Sequence, residues 1–134
     1  MLRRKRMPAE LQPAYQAFLS QAERVEQARS ALLSCLPVGR VDPAPVPVGL
    51  DLLRDELDAV SGQLDMWRHD VIADHWTSCS SAILQTLAAL PAAYHAAAHS
   101  TELEELLGAV SDVVEPLDAW HDAERAWLAL RVRA

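Results

Sequence analysis

The chain has 134 residues, of which 51% are hydrophobic and 23% charged, and its formal net charge is −7. That length suits one domain, and the apolar share supports a hydrophobic core and excludes a disordered polyelectrolyte. The acidic balance argues against nucleic acid or an anionic membrane as partner.

The charge is unevenly spread. The first six residues, MLRRKR, carry four positive charges, whereas Asp42 to Glu124 holds sixteen acidic residues and two arginines. Residues 1–7 read as a solvated, frayed basic tail on a single domain spanning 1–134. One lysine against eleven arginines, with no asparagine, suggests a GC-rich coding bias and a bacterial source. No apolar h-region follows the basic start, so no secretory signal is expected, and no apolar run reaches membrane-spanning length. Cys35 and Cys79 stand 44 positions apart without a CxxC or Cys/His spacing, which reads as two free thiols in a cytoplasmic protein.

Apolar spacing is helical nearly throughout. In the first segment Leu11, Tyr15, Phe18, Ala22, Val25, Leu32 and Leu36 mark one face, predicting a helix over 8–36 about 40 Å long. Pro37 to Gly49 holds four prolines and two glycines, and reads as a stiff crossover connector over 37–49. The second helix is predicted to start at Leu50 or Asp51. Its seam is Leu50, Leu53, Leu57, Val60, Leu64, Trp67 and Val71, a heptad pattern. Trp67 and Trp76, nine residues apart, would face opposite ways on one helix, so a break is expected within 75–78, where Thr77 to Ser81 offers caps.

The third helix carries Ile83, Leu87, Leu90 and Tyr94, with Pro91 expected to kink or restart it. A fourth helix is expected to open on a capping box of Thr101 and Glu104, and its seam is Leu103, Leu106, Val110, Val113, Leu117, Trp120 and Trp127. Pro116 falls inside that seam without breaking its phase, which predicts a kink. The fold class expected is all-α: an antiparallel four-helix bundle with long helices and a Pro-rich crossover linker.

Three constellations bear on function. His95 and His99 lie four apart, a spacing that could chelate a divalent transition metal such as Zn or Ni, with His69 or His75 as a third ligand. This HxxxH pair on a helical bundle resembles the metal-binding bundles of the DinB/YfiT type. The competing reading needs no metal: both histidines sit roughly 100° and 140° from Tyr94 on the wheel, off the apolar stripe, in a last turn that favours positive charge. Asp118 and His121 have the Asp-x-x-His spacing of half a di-iron motif, but flank the seam, as do Glu23 and Glu26 in the first helix, and exposed ion pairing is the simpler reading. Trp76, Trp120 and Trp127 are candidate interface anchors, core packing being the alternative.

No phosphate-binding glycine loop and no nucleophile elbow is present, and no residue is assigned to catalysis. The expectation is a small non-catalytic protein that self-associates as a homodimer or binds a protein partner, with no cofactor. The rivals are a metal-binding bundle using His95, His99 and a helix-two histidine, and a site for a small apolar ligand near Trp67 and Trp120.

Overall fold

The computed structural model describes residues 8–36 and 44–132. Within them every regular element is helical. A single 3-10 turn, Ala9–Leu11, leads into α1, Gln12–Ser34, and Pro13 occupies the first turn of α1, where its missing N–H costs nothing. Tyr15, Phe18, Val25 and Leu32 are buried as the spacing predicts, and Gln21 and Ala28 complete the buried face.

The second helix starts earlier than expected: α2 is Val46–Ser61, so the connector predicted over 37–49 loses its last four residues to the helix. Pro45 and Pro47 do not prevent this, because proline at the cap or first turn forfeits no helical hydrogen bond. Residues 37–43 of that connector, like the basic tail, lie outside the described residues. Leu50, Leu53, Leu57 and Val60 are buried in phase, and then the seam stops. The helix closes at Gly62, and two 3-10 turns follow, Leu64–Trp67 and Asp70–Ile72. Trp67 turns fully inward, whereas Val71, the last seam position, is exposed.

The expected break within 75–78 is therefore misplaced by about a dozen residues. The third helix, α3, runs unbroken over Ala73–His99, straight through Thr77 to Ser81. Ser78 does not cap; its hydroxyl donates to the Asp74 carbonyl one turn back (3.0 Å), a bond available to serine inside a helix. Breaking at Gly62 settles the tryptophan conflict. Trp67 and Trp76 meet edge-on with centroids 6.3 Å apart, and the Trp76 indole N–H donates to the Leu64 carbonyl (2.9 Å). The Arg68 guanidinium lies 5.0 Å from the Trp76 ring. Pro91 sits on the exposed side of α3 and does not restart it.

The last arm has three parts: α4, Leu103–Val114; a 3-10 turn, Glu115–Asp118, carrying Pro116; and α5, Ala119–Val132. Its seam keeps phase across the turn, since Leu106, Val110, Val113, Leu117, Trp120 and Trp127 are all buried. The capping box does not form. Glu102 occupies the cap position in extended backbone with no side-chain capping bond, and Thr101 lies one residue outside it. Glu104 and Glu105 still occupy the first turn, where the helix dipole favours them. With this arm taken as one, the chain has four long helical segments.

The core is centred on Phe18. Its ring meets Trp67 (5.3 Å), Trp120 (5.7 Å) and Trp127 (6.4 Å), while Trp67 meets Trp120 (5.5 Å) and Tyr15 meets Trp127 (5.7 Å). Such tilted and edge-on pairs add about 0.5–1.5 kcal/mol each beyond buried area. Two buried polar side chains stitch segments together. Gln21 accepts from the Trp67 N–H and donates to Gln63, and the Thr86 hydroxyl donates to the Val113 carbonyl (2.9 Å). Backbones pack closely where α1 meets α2, and where α3 meets α2, α4 and α5. Between α1 and α5 it is aromatic rings that span the gap.

Candidate functional site

The histidines do not converge. His95 and His99 lie exposed on the last turns of α3, their ring centroids 4.6 Å apart. His75 is on the same unbroken helix, twenty residues earlier, which at 1.5 Å per residue is about 30 Å away. His69 precedes that helix altogether, and its Nδ1 accepts the Val71 N–H (3.1 Å), capping the Asp70–Ile72 turn. The third ligand expected from His69 or His75 therefore sits at the other end of α3, because the segment read as part of helix two is a turn feeding helix three. Among the described residues no three His, Cys, Asp or Glu side chains are grouped as a metal site would need.

The tryptophans proposed as interface anchors are mostly interior. Trp127 is fully buried and Trp120 is 7% exposed, both inside the Phe18 cluster, so neither is a surface anchor. Trp76 is half-buried and held through Leu64 and Arg68. One heptad of spacing between Trp120 and Trp127 gave them a common face, and that face is the core.

What the tertiary structure does bring together is a set of residues from α1 and α5. Leu19, Ala22 and Val25 of α1 and Leu117 and Trp120 of the last arm form the walls of a half-open groove of about 330 Å³. Glu23 and Glu26 rim it from α1, and His121 and Glu124 from α5, all four exposed. The groove follows from the aromatic spacers: Phe18 and Trp127 prop the helices apart, and one turn further along α1 the small Ala22 side chain leaves the gap unfilled. A volume of this order suits a small molecule, with most of its contact surface apolar. The sequence already placed Glu23, Glu26 and His121 on helix flanks, but no pattern within one helix could show that two flanks face each other.

The Asp-x-x-His pair is split. Asp118 receives the Arg29 guanidinium (3.4 Å), which also bonds Glu26 (3.3 Å), while His121 turns to the groove. The ion-pairing reading of Asp118 thus describes its contact. A wider, shallower cleft of about 550 Å³ between α3 and the Glu115–Asp118 turn is lined by small and polar side chains, Thr77, Ser78, Gln85 and Asp122 among them. It offers no large apolar surface to a ligand.

Among the described residues, two groups have displaced proton affinities. Burial, aided by the nearby Asp122 charge, pushes the Cys79 thiol from 9.0 up to about 12, and its S–H points to the Ala119 carbonyl (3.5 Å). Burial and the hydrogen bond to Asp51 push the Tyr94 phenol from 10.0 up to about 12. A thiol held neutral is a poor nucleophile. In both cases the raised value means the folded state keeps a proton that the unfolded chain releases. Their contribution to stability is intact below about pH 9 and is lost as pH climbs toward 12. Melting temperature should accordingly fall across that window, and Cys79→Ala should remove part of the slope. Cys35, which is only half-buried, should react with a thiol reagent in the folded protein, with Cys79 slower by about 100-fold until denaturant is added.

No helix among the described residues is long and apolar enough to cross a membrane. Comparison with protein-family models, curated proteins and solved structures finds no match to the chain.

Proposed function

We propose that this protein is a non-catalytic binding module whose site is the groove between α1 and α5. The observation that carries this reading is the half-open groove with an apolar lining of Leu19, Ala22, Val25, Leu117 and Trp120. Neither group with a displaced proton affinity, Cys79 nor Tyr94, lines it, which favours holding a ligand over transforming one. The two free thiols support a reducing, cytoplasmic setting.

Binding of a neutral bicyclic aromatic such as naphthylmethanol should shift tryptophan emission, because Trp120 forms part of the floor. Ala22→Phe, which fills the gap from a half-buried position, should weaken that binding by about tenfold or more while leaving the melting temperature nearly unchanged. If the variant binds as well as the parent, the groove is not the site.

Self-association is a second reading, supported by α2. Val48 (61% exposed) and Leu52 (49%) lie one turn apart on the same exposed face of that helix. The contacts of α1 with α2 also support the antiparallel arrangement: Gly49 at the start of α2 meets Leu32 near the end of α1, and Gln63 beyond α2 meets Gln21. A dimer built on this face should dissociate when Leu52 is changed to Glu, as read by sedimentation equilibrium. A parent chain that stays monomeric at high micromolar concentration rules it out.

A further inference from the structure

We infer that the occupant of the α1/α5 groove is a small amphiphilic organic cation, an apolar body carrying one amine or quaternary ammonium group. The inference rests on the groove reading above and adds the charge of the ligand.

Three observations carry it. First, the rim is acidic and incompletely neutralised. Glu26 is paired with Arg29, which it shares with Asp118, but among the described residues Glu23 and Glu124 have no ion-pair partner. These two carboxylates rim the groove from its opposite helices. Second, no cation other than Arg29, already doubly engaged, is paired with any rim carboxylate among the described residues, and Arg125 on the next position of α5 is taken by Asp122 (3.3 Å). An ammonium group entering the mouth would complete the charge balance. Third, the floor contains Trp120, the side-chain type that best stabilises a cation held near its ring. The Trp120 indole N–H is buried and has no hydrogen-bond partner among the described residues. That donor is enclosed, so recognition in the groove rests on the ring and the rim carboxylates.

The chemistry discriminates by sign. An anionic ligand of the same shape would meet Glu23, Glu26 and Glu124 at the mouth, whereas a neutral one would gain only the apolar floor. His121 is the one remaining titratable group on the rim.

The test is a matched series of naphthylmethylamine, naphthylmethanol and naphthoate, titrated into the intact chain by calorimetry at low and high salt. The amine should bind about tenfold tighter than the alcohol, and naphthoate should bind more weakly than either. High salt should shrink the gap between amine and alcohol, because the carboxylates are solvent-exposed. Glu23→Gln and Glu124→Gln should each reduce the preference for the amine about threefold and together abolish it. Both are exposed surface changes, and unchanged melting temperatures would show that the variants fold. If all three probes bind alike, the charge inference falls and the groove reading stands. If none binds, both fall. If a basic amphipathic peptide of lysine and leucine binds in a manner that Ala22→Phe abolishes, while naphthylmethylamine does not bind, the small-molecule inference is overturned in favour of a protein partner.

Discussion

Gly49→Val should destabilise the protein by about 3 kcal/mol or more, while Gly108→Ala should stabilise it by about 0.5–1 kcal/mol. Both glycines are helical, so propensity alone would predict a gain at each. They differ in what surrounds them. A Cβ on Gly49 would stand 2.9 Å from the Leu32 Cα, 3.1 Å from its Cδ1 and 3.3 Å from the Cys35 sulfur. The nearest of these is backbone, which cannot swing away as a side-chain end would, so α1 and α2 must separate to admit even one methyl. Alanine there should lose about 1–2 kcal/mol net, after its helix-propensity gain, and valine adds two further carbons to the same contact. Around Gly108 a Cβ meets nothing within 4 Å. Urea denaturation of the pair reads the difference directly. A Gly49→Val protein that unfolds at the parent's midpoint would mean that α1 and α2 do not cross where the structure places them.

The second large effect is expected at Gln21. This side chain is 5% exposed, and its carbonyl oxygen accepts the indole N–H of Trp67 while its amide nitrogen reaches the Gln63 carbonyl (3.4 Å) and side-chain oxygen (3.3 Å). Gln21→Leu keeps the size and removes the acceptor. The Trp67 donor would then be stranded in a fully buried site, at a cost of about 1–3 kcal/mol. Trp67→Ala should cost about 3–5 kcal/mol, because it empties the space that Phe18, Trp76 and Trp120 pack around. The informative measurement is the cycle with Trp67→Phe. Once the indole N–H is gone, Gln21→Leu should cost about 1 kcal/mol less than in the parent. Strict additivity would show that the Gln21–Trp67 bond contributes nothing to stability.

Much of the fold is legible in the apolar spacing. Steps of three and four mark the buried faces of α1, α2 and the stretch from Leu103 to Trp127, which keeps its phase across Pro116. In α3 only Ile83 and Leu90 of the expected stripe are buried, and small residues such as Cys79, Ala82, Thr86 and Ala93 supply the rest of the face. Heptad spacing is visible because one helix must hide one side, and that demand acts on residues a turn apart in the same chain. Gln21 escapes notice for the same reason. Its partners stand about forty residues away, and nothing in α1 says that a polar group there will find them.

The end of α2 shows where such reasoning stops. The apolar pattern runs on past Gly62 to Val71, and taken alone it favours continuing the helix. The chain turns instead because that is how Trp67 and Trp76 reach one end of the core, each with its N–H satisfied. This is a tertiary gain that outweighs local periodicity. The same turn carries His69 and His75 away from His95 and His99, so it is a helix boundary that keeps the four histidines of the rival metal reading in separate places.

By itself, then, the sequence determined that the segments are helical and which side most of them bury, because apolar periodicity acts within a turn or two of backbone, while the boundaries and caps went their own way. Only the tertiary structure decided which faces meet. It buried Trp120 and Trp127, split Asp118 from His121, and set the flanks of α1 and α5 opposite each other across a gap propped open by aromatic rings. A groove of that kind belongs to no single helix, since it exists only where two of them fail to close.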